Sequence, residues 1–139
     1  MEYEKLFRVE EEMWWFQGLN ANLITLVQRH AAQRIKRLIL DAGCGTGGLL
    51  RRLVHSFPDA EIVGFDVNEA ACRAARAKSG RQVCVASTSS VPFKENLFDV
   101  NFSVDVLCHA GVDELESLRN FYQCLATNGV LLLNLPAYS

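Results

Sequence analysis

Four glycines within six positions follow an apolar run in LILDAGCGTGGLL, residues 38–50. Glycine costs conformational entropy, so such a cluster marks either a turn with positive φ or a backbone that a ligand touches. Gly43, Gly45 and Gly48 have the spacing G-x-G-x-x-G between a strand-like and a helix-like segment. Asp66 ends a second apolar run about twenty residues later, where a carboxylate accepts hydrogen bonds from a ribose diol. The pattern predicts a nucleoside-binding turn; the alternative is a turn that serves only strand–helix packing.

Asp41 stands directly before this turn and narrows the choice of ligand. A dinucleotide places its pyrophosphate at the N-terminus of the helix that follows such a turn. A carboxylate beside a pyrophosphate is unfavourable, whereas a carboxylate beside an ammonium or sulfonium group is favourable. Asp41 therefore favours a nucleoside that carries a positive group.

The elements that must position these residues alternate between strands and helices. Short apolar runs bounded by turn residues predict strands at 37–43, 60–67, 83–87, 98–106 and 129–137. Helical periodicity predicts helices at 47–57, 68–80 and 112–129. Asn68 is the expected N-cap of the second of these helices and Gly80 its stop signal. This alternation predicts an α/β fold with a doubly wound, mostly parallel sheet covered by helices on both faces.

The whole chain is expected to form a single domain. A helical segment at residues 1–36 precedes a core at 37–139, and 139 residues with 50% hydrophobic and 22% charged side chains suit a globular protein. The net charge of −2 disfavours a nucleic-acid partner. The basic cluster at Arg73, Arg76, Lys78 and Arg81 is expected to be a solvated helix face, with a binding patch as the alternative.

The five cysteines are widely spaced and never form C-x-x-C, which disfavours a zinc site and a disulfide framework. No metal site is expected, and reduced thiols favour a cytoplasmic protein. The acidic N-terminus lacks the features of a signal peptide, and no apolar run is long enough to span a bilayer.

Four segments of the chain, in this order, resemble the class I S-adenosylmethionine-dependent methyltransferases. LDAGCGTGG resembles their first motif, D/E-x-G-x-G-x-G, and VGFDVNEAAC resembles their second. VPFKENLFDVNFSVDVLCHA and LRNFYQCLATNGVLLLNLP are similar to the stretches around their fourth and fifth strands. EEMWWFQG also resembles an aromatic motif of one branch, whose helix lies over the cofactor site. The resemblance implies a Rossmann-like sheet of order 3-2-1-4-5.

The resemblance also implies the cofactor, S-adenosylmethionine, with S-adenosylhomocysteine as product. It assigns the ribose hydroxyls to Asp66 and places Val67 and Asn68 beside the adenine. Ser87 or Thr88 would bind the adenine amino group in place of the family's usual aspartate. The full set of expected cofactor-binding residues is Asp41, Gly43, Cys44, Gly45, Gly47, Asp66, Val67, Ser87, Thr88, Ser103 and Trp15.

Three further departures from the family occur. Leu19 replaces an arginine after the aromatic motif, and LATNGV replaces the usual L-K-P-G-G turn. The C-terminal hairpin of the family, which completes one edge of the sheet, is missing, so strand five would be an uncovered edge. We favour a shortened form of a longer protein; the other interpretation is a homodimer in which a second copy covers this edge.

Methyl transfer needs mainly proximity and alignment, with a base only where the acceptor must lose a proton. His109, just past strand four, is the best candidate base, and Asp105 is the second. A structural hydrogen bond is the alternative role for His109. Among Trp14, Trp15 and Phe16, at least one side chain is expected to face away from the sheet, towards the cofactor or a partner; ordinary packing in the core is the alternative.

The predicted function is methylation of a small-molecule acceptor. Two alternatives remain open: a non-catalytic cofactor-binding or interaction module, and a nicotinamide-dependent oxidoreductase domain. Binding of S-adenosylhomocysteine or NADH would discriminate between the first hypothesis and the last.

Overall fold

A computed structural model describes residues 2–31 and 38–135, with the side chains of residues 10–12, 14–16, 30 and 31 outside the description. The helices are α1 (Glu2–Glu12), α2 (Trp14–Ala31), α3 (Gly48–Ser56), α4 (Glu69–Ser79) and α5 (Glu114–Cys124). The strands are β1 (Leu38–Ala42), β2 (Glu61–Asp66), β3 (Val83–Val85), β4 (Phe98–Val104) and β5 (Leu125–Asn134). The expected domain boundary at 36/37 and the tail at 136–139 lie outside the described residues.

All five strands pair in parallel in the order β3-β2-β1-β4-β5, which confirms the predicted sheet. Leu38 to Ala42 of β1 pair with Glu61 to Phe65 of β2, and Ile39 to Ala42 pair with Val100 to Ser103 of β4. The chain reverses its direction of winding between β1 and β4. In sheets of this kind, ligands bind at the carboxyl ends of the strands beside this switch point.

Alternating strand residues build one core on each face of the sheet. One face packs against α2, α3 and α4, while the other packs against α5 and the segment 86–97. The buried residues of the first core include Leu23, Ile24, Val27, Ile39, Leu50, Leu53, Ile62, Val83, Val100 and Phe102. The second core comprises Leu40, Ala42, Phe65, Phe98, Leu107, Phe121 and Cys124. The strands therefore bury both faces, as their continuous apolar sequences predict.

The caps of α4 confirm the sequence prediction. The Asn68 side chain accepts a hydrogen bond from the Ala71 amide at 3.0 Å, and Gly80 ends the helix with φ 69°. Asp113 caps α5 in the same way, by accepting from the Glu116 amide at 3.0 Å. These caps satisfy backbone donors that a helix N-terminus leaves unpaired.

The predicted end of the last helix was wrong. The pattern indicated a helix up to Gly129, but α5 ends at Cys124 and β5 begins at Leu125. The Leu97 amide donates to the Cys124 carbonyl at 2.9 Å, and Leu125 pairs with Phe98. The chain then makes a bulge, with Asn128 at φ 66°, before regular pairing resumes at Val130. Pairing with β4 thus overrides the local helical preference of this segment.

Candidate functional site

The turn between β1 and α3 has a left-handed backbone at Gly43, Gly45 and Gly47, with φ values of 74°, 56° and 92°. Gly48, by contrast, is the first residue of α3. The third special glycine is therefore Gly47, which agrees with G-x-G-x-G and not with G-x-G-x-x-G.

Two of these glycines differ in how closely other atoms approach them. A Cβ at Gly43 would overlap the side chain of Val106, which follows β4. A Cβ at Gly45 would have no atom within 4 Å. Backbone at Gly45 is therefore open to an approaching ligand, whereas Gly43 is the point where the turn packs against the end of β4.

Asp66 connects this turn to the end of β2. One carboxylate oxygen accepts from the Gly45 amide at 3.0 Å, and the other accepts from the Asn68 amide at 3.0 Å. A carboxylate has about four acceptor positions, so each oxygen can accept a further hydrogen bond. Asp66 can thus hold the turn and still accept hydrogen bonds from a ribose diol.

Three other amides of the turn also donate hydrogen bonds within the protein. Those of Gly43 and Cys44 both donate to the Phe65 carbonyl, at 2.8 and 2.9 Å. The Gly47 amide donates to the Cys44 carbonyl at 3.1 Å. These three amides therefore do not form a cradle for a pyrophosphate, which supports the inference drawn from Asp41.

Asp41, in the strand before the turn, and Cys44, within the turn, have buried side chains. Asp41 is only 2% exposed and pairs with Gly64 and Phe102 in the centre of the sheet. Burial raises the pKa of the Cys44 thiol, and the negative charges of Asp41 and Asp66 raise it further. Both side chains are buried, and the expected contacts of Asp41 and Cys44 with the cofactor stay predictions.

The expected adenine contacts separate into exposed and buried residues. Val67 is 70% exposed directly after β2 and presents an apolar surface at the carboxyl edge. The Ser87 hydroxyl lies 2.9 Å from that of Ser89 and accepts from the Ser89 amide at 3.2 Å. Thr88 is 6% exposed, and its hydroxyl accepts from Ser117 of α5 at 2.8 Å. Thr88 therefore holds the loop against α5, and its expected contact with adenine stays a prediction.

The end of β4 carries Asp105 and Ser103. Asp105 has φ 56°, and its carboxylate accepts from the Asn134 side-chain amide at 2.8 Å. The Asp105 amide donates to the Asn134 carbonyl, also at 2.8 Å. Ser103 is 1% exposed, and its hydroxyl has no hydrogen-bond partner among the described residues. Asn134 was missed by the sequence analysis, although a polar residue that ends an apolar run at this edge was a usable signal.

His109 lies in the turn that follows β4 and is exposed. Its backbone amide donates to the Val106 carbonyl at 3.2 Å, and its carbonyl accepts from the Val112 amide at 3.2 Å. Its imidazole forms no hydrogen bond or ion pair with another described residue. The imidazole is thus held at the carboxyl edge by backbone contacts alone.

Trp15 lies in α2, but its side chain is outside the described residues, as are those of Trp14 and Phe16. The expected contact of Trp15 with the cofactor therefore stays a prediction.

Two cavities of the described residues lie away from this edge. One of about 470 Å³ is lined by Arg76, Arg81 and Phe93 beside β3, and one of about 430 Å³ lies between the end of α5 and the bulge of β5. The basic cluster is not simply a solvated face, because Arg76 donates to the Val83 carbonyl at 2.8 Å. Lys78 lies with its Nζ 3.7 Å from the centre of the Phe7 ring.

All five cysteines are free thiols. Across residues 2–31 and 38–135, no group of three or more His, Cys, Asp or Glu is arranged to hold a metal ion. Within the same ranges, no helix has both the length and the apolar character needed to cross a membrane.

Residues 40–133 match the model of a family described as methyltransferase domain. The chain belongs to this family. The match begins in β1 and ends in β5, and so includes the glycine turn, Asp66 and the end of β4.

Individual relatives agree with the family. Over 100 residues the chain is 31% identical to a trans-aconitate 2-methyltransferase of Methylobacterium radiotolerans, covering 72% of this chain and 38% of that protein. Over 135 residues it is 30% identical to a malonyl-[acyl-carrier protein] O-methyltransferase of Legionella pneumophila, covering 94% and 44%. The sugar N-methyltransferase KedS8 from Streptoalloteichus has a similar structure, with a TM-score of 0.76 and 26% identity, covering 99% and 54%. The chain thus spans less than half the length of these two curated relatives.

Proposed function

We propose that the chain binds S-adenosylmethionine at the carboxyl edge of the sheet and transfers its methyl group to a small-molecule acceptor. The observation that carries this proposal is the contact of Asp66 with the Gly45 amide. It places a carboxylate with spare acceptor positions beside the one glycine of the turn whose Cα faces open space.

The residues present fit a nucleoside with a positive group. Asp66 would accept from the ribose hydroxyls, Val67 would cover one face of the adenine, and backbone at Gly45 allows close approach. When bound, the cofactor supplies a methyl group on a sulfonium, which is already activated for transfer. The chain's own residues then have to hold the acceptor in line and accept its proton.

We assign the acceptor side to the turn after β4. Asp105 is held by Asn134 and can orient a polar acceptor group, while the His109 imidazole is available to accept a proton. The names of the relatives, which include trans-aconitate and sugar methyltransferases, support a small-molecule acceptor for this chain.

A calorimetric titration tests the cofactor part of the proposal. S-adenosylhomocysteine is expected to bind, and Asp66→Ala is expected to weaken binding by about 10- to 100-fold, the loss of one or two charged hydrogen bonds. Asp59→Ala, which removes an exposed carboxylate before β2, is the matched control and should leave the affinity unchanged. Binding of NADH without binding of S-adenosylhomocysteine would instead support the oxidoreductase alternative.

The non-catalytic module remains the second candidate because the chain spans less than half of its curated relatives. Binding of S-adenosylhomocysteine with no methyl transfer to a panel of amines, carboxylates and phenols would favour it.

For the outer edge of β5 we keep both interpretations as proposals: further residues of a longer protein cover it, or a second copy of the 139-residue chain does. No residue from 125 to 134 is charged or a proline, the features with which proteins usually protect an edge strand. An antiparallel β5–β5 contact would pair these edges.

A further inference from the structure

The cavity of about 470 Å³ beside β3 takes no part in the proposed function. Its walls come from the middle of β2, from the end of α4 with the start of β3, and from Phe93 in the segment after β3. Val63 lies in β2, between β1 and β3, yet it is only half-buried, as is Cys84 of β3. Because interior strands of a parallel sheet are normally covered on both faces, this part of the sheet has room for a ligand.

Two arginines line this cavity. Arg76, in the last turn of α4, donates from Nε to the Val83 carbonyl at 2.8 Å, which fixes its guanidinium beside β3. That bond uses one of five N–H donors, so the two amino groups of Arg76 can bind a ligand. Arg81 follows the end of α4, and its Nε has no hydrogen-bond partner among the described residues.

The charge of these two arginines is not balanced at the cavity. Neither Arg76 nor Arg81 forms an ion pair with a carboxylate of residues 2–31 or 38–135. The third polar side chain of the wall is that of Gln82, which is neutral, and none of the lining residues is acidic. The cavity therefore complements a negatively charged ligand.

The rest of the wall is apolar and includes an aromatic ring that is held in place. The Phe93 ring packs edge-to-face on that of Phe98, with 4.9 Å between the centroids, and lies 6.4 Å from that of Phe65. Phe93 is nevertheless half-buried and lines the cavity together with Val63 and Cys84. Small-molecule sites usually have this volume and this combination of apolar walls with a few placed polar groups.

We propose that this cavity binds a small aromatic carboxylate, whose ring packs against Phe93 and whose carboxylate accepts hydrogen bonds from Arg76 and Arg81. A guanidinium presents paired N–H donors that match the two oxygens of a carboxylate. The binding patch that was the alternative for the basic cluster thus applies to two of its four residues. The site lies where β3 begins, whereas the cofactor is proposed at the carboxyl ends of the strands, so the two sites can be tested separately.

Naphthalene-2-carboxylate and its neutral amide, naphthalene-2-carboxamide, test the proposal by binding. The two probes have the same ring and differ in charge. In an NMR titration of the ¹⁵N-labelled protein, we expect the carboxylate to shift the amide signals of Gly80, Gln82 and Cys84. It should bind at least about tenfold more tightly than the amide, because only the carboxylate can pair with a guanidinium. Inorganic phosphate, an anion without an apolar body, should bind at least about tenfold more weakly than the carboxylate.

Arg81→Gln should reduce the preference for the carboxylate over the amide to about threefold or less, because it removes one of the two charges. The Arg81 side chain forms no hydrogen bond that this change would remove, so the variant should fold, which circular dichroism will check. Arg81→Lys keeps the charge and should keep most of the preference. Arg73→Gln removes an exposed arginine of α4 that does not line the cavity, and this control should leave the preference unaltered.

The comparison of the two probes in the wild type needs no variant. Equal binding of the carboxylate and the amide, no binding of the carboxylate up to its solubility, or shifts confined to the turn around Gly45 would overturn the proposal. Phosphate that binds as tightly as the carboxylate would overturn the class of ligand. A preference that persists in Arg81→Gln would overturn the role of Arg81.

S-adenosylhomocysteine separates this proposal from the proposed function. Its affinity should be the same for the wild type and for Arg81→Gln, since Arg81 lies away from the carboxyl edge. If it bound neither protein, the proposed function would fail while the result for the two naphthalene probes would still decide this proposal. A loss of its binding in Arg81→Gln alone would contradict the separation of the two sites.

Discussion

Strands β1 and β5 have similar apolar sequences and opposite surroundings. In β1, LILDA, every residue after the first is buried, whereas none of the ten residues of β5 is buried. The difference arises from position, because β1 lies between β2 and β4 while β5 is the outermost described strand on its side. Composition indicates that a segment can be a buried strand, but its neighbours in the sheet decide how much of it is buried.

The carboxyl ends of the two strands differ as well. The turn after β1 is fixed by backbone amides that donate to the Phe65 carbonyl and to Asp66. At the end of β5, the contact with β4 includes the single side-chain bond from Asn134 to Asp105. The cofactor side of the proposed site is thus held by more bonds than the acceptor side.

The largest expected effect is on core packing. Leu40→Ala in β1 should lower the free energy of unfolding by about 3–5 kcal/mol, since Leu40 is fully buried. Leu132→Ala in β5 should cost about 1–2 kcal/mol, because this side chain is already partly exposed. Urea denaturation followed by circular dichroism measures both, and equal losses would contradict the contrast between the strands.

The hydrogen bonds at the ends of β1 and β5 should also differ in their contribution to the free energy of unfolding, by less than Leu40 and Leu132 do. Asp66→Ala removes two acceptors of backbone amides and should cost about 2–3 kcal/mol, whereas Asn134→Ala removes one donor and should cost about 1 kcal/mol. The same denaturation experiment compares them. A larger loss for Asn134→Ala would show that the β4–β5 contact is the more important of the two.

Cys44 lies in the turn after β1, and Cys124 lies directly before β5. Their thiols should make the contribution of each region to the free energy of unfolding depend on pH. Burial raises the pKa of both thiols, and at Cys44 the charges of Asp41 and Asp66 add to it, whereas at Cys124 a hydrogen bond from Asn101 opposes it. The unfolded thiol titrates near pH 9.0, so the folded protein binds the proton more tightly and stability is lost as pH rises above that value.

For Cys44 this loss should approach about 1.4 kcal/mol per pH unit above the unfolded pKa. Cys44→Ala should therefore flatten the decline of stability between about pH 9 and 10.5 more than Cys124→Ala does. Denaturation midpoints at several pH values measure this, and identical slopes in the wild type and Cys44→Ala would refute it.

The smallest effect on stability is expected at the outer edge. Leu133 of β5 is 40% exposed, so Leu133→Lys should change the free energy of unfolding by less than about 0.5 kcal/mol. It should nevertheless weaken self-association, because a charge on an edge strand opposes pairing with another edge. Sedimentation of the wild type and of Leu133→Lys measures self-association. A dimer that is unchanged in Leu133→Lys would place the contact between the two copies away from β5.

Local signals predicted much of the fold and part of the site. Asn68 and Gly80 fixed the ends of α4 because capping depends on a few adjacent residues. The positive φ values of Gly43, Gly45 and Gly47 agree with the glycine spacing, and Asp66 lies where the second apolar run ends. The order of the strands followed from the resemblance to a family and not from periodicity.

What could not be predicted depends on segments that are distant in the sequence. The end of α5 is set by pairing with β4, and the bond from Asn134 to Asp105 joins residues 29 positions apart. The hydroxyl of Thr88, an expected adenine contact, accepts a hydrogen bond from Ser117, also 29 positions away. Neither the periodicity nor the local spacing of the sequence gives a signal for such contacts.

Gly64 of β2 lies directly against Cys44. A Cβ at Gly64 would come within 3.1 Å of the Cys44 sulfur and 3.4 Å of the Asp41 carbonyl. The space available to the side chains of residues 44 and 64 together is therefore limited, so a larger side chain at one position should require a smaller one at the other. In a library that randomises residues 44 and 64 jointly, selection for folding should recover pairs in which one residue is glycine whenever the other is larger than alanine.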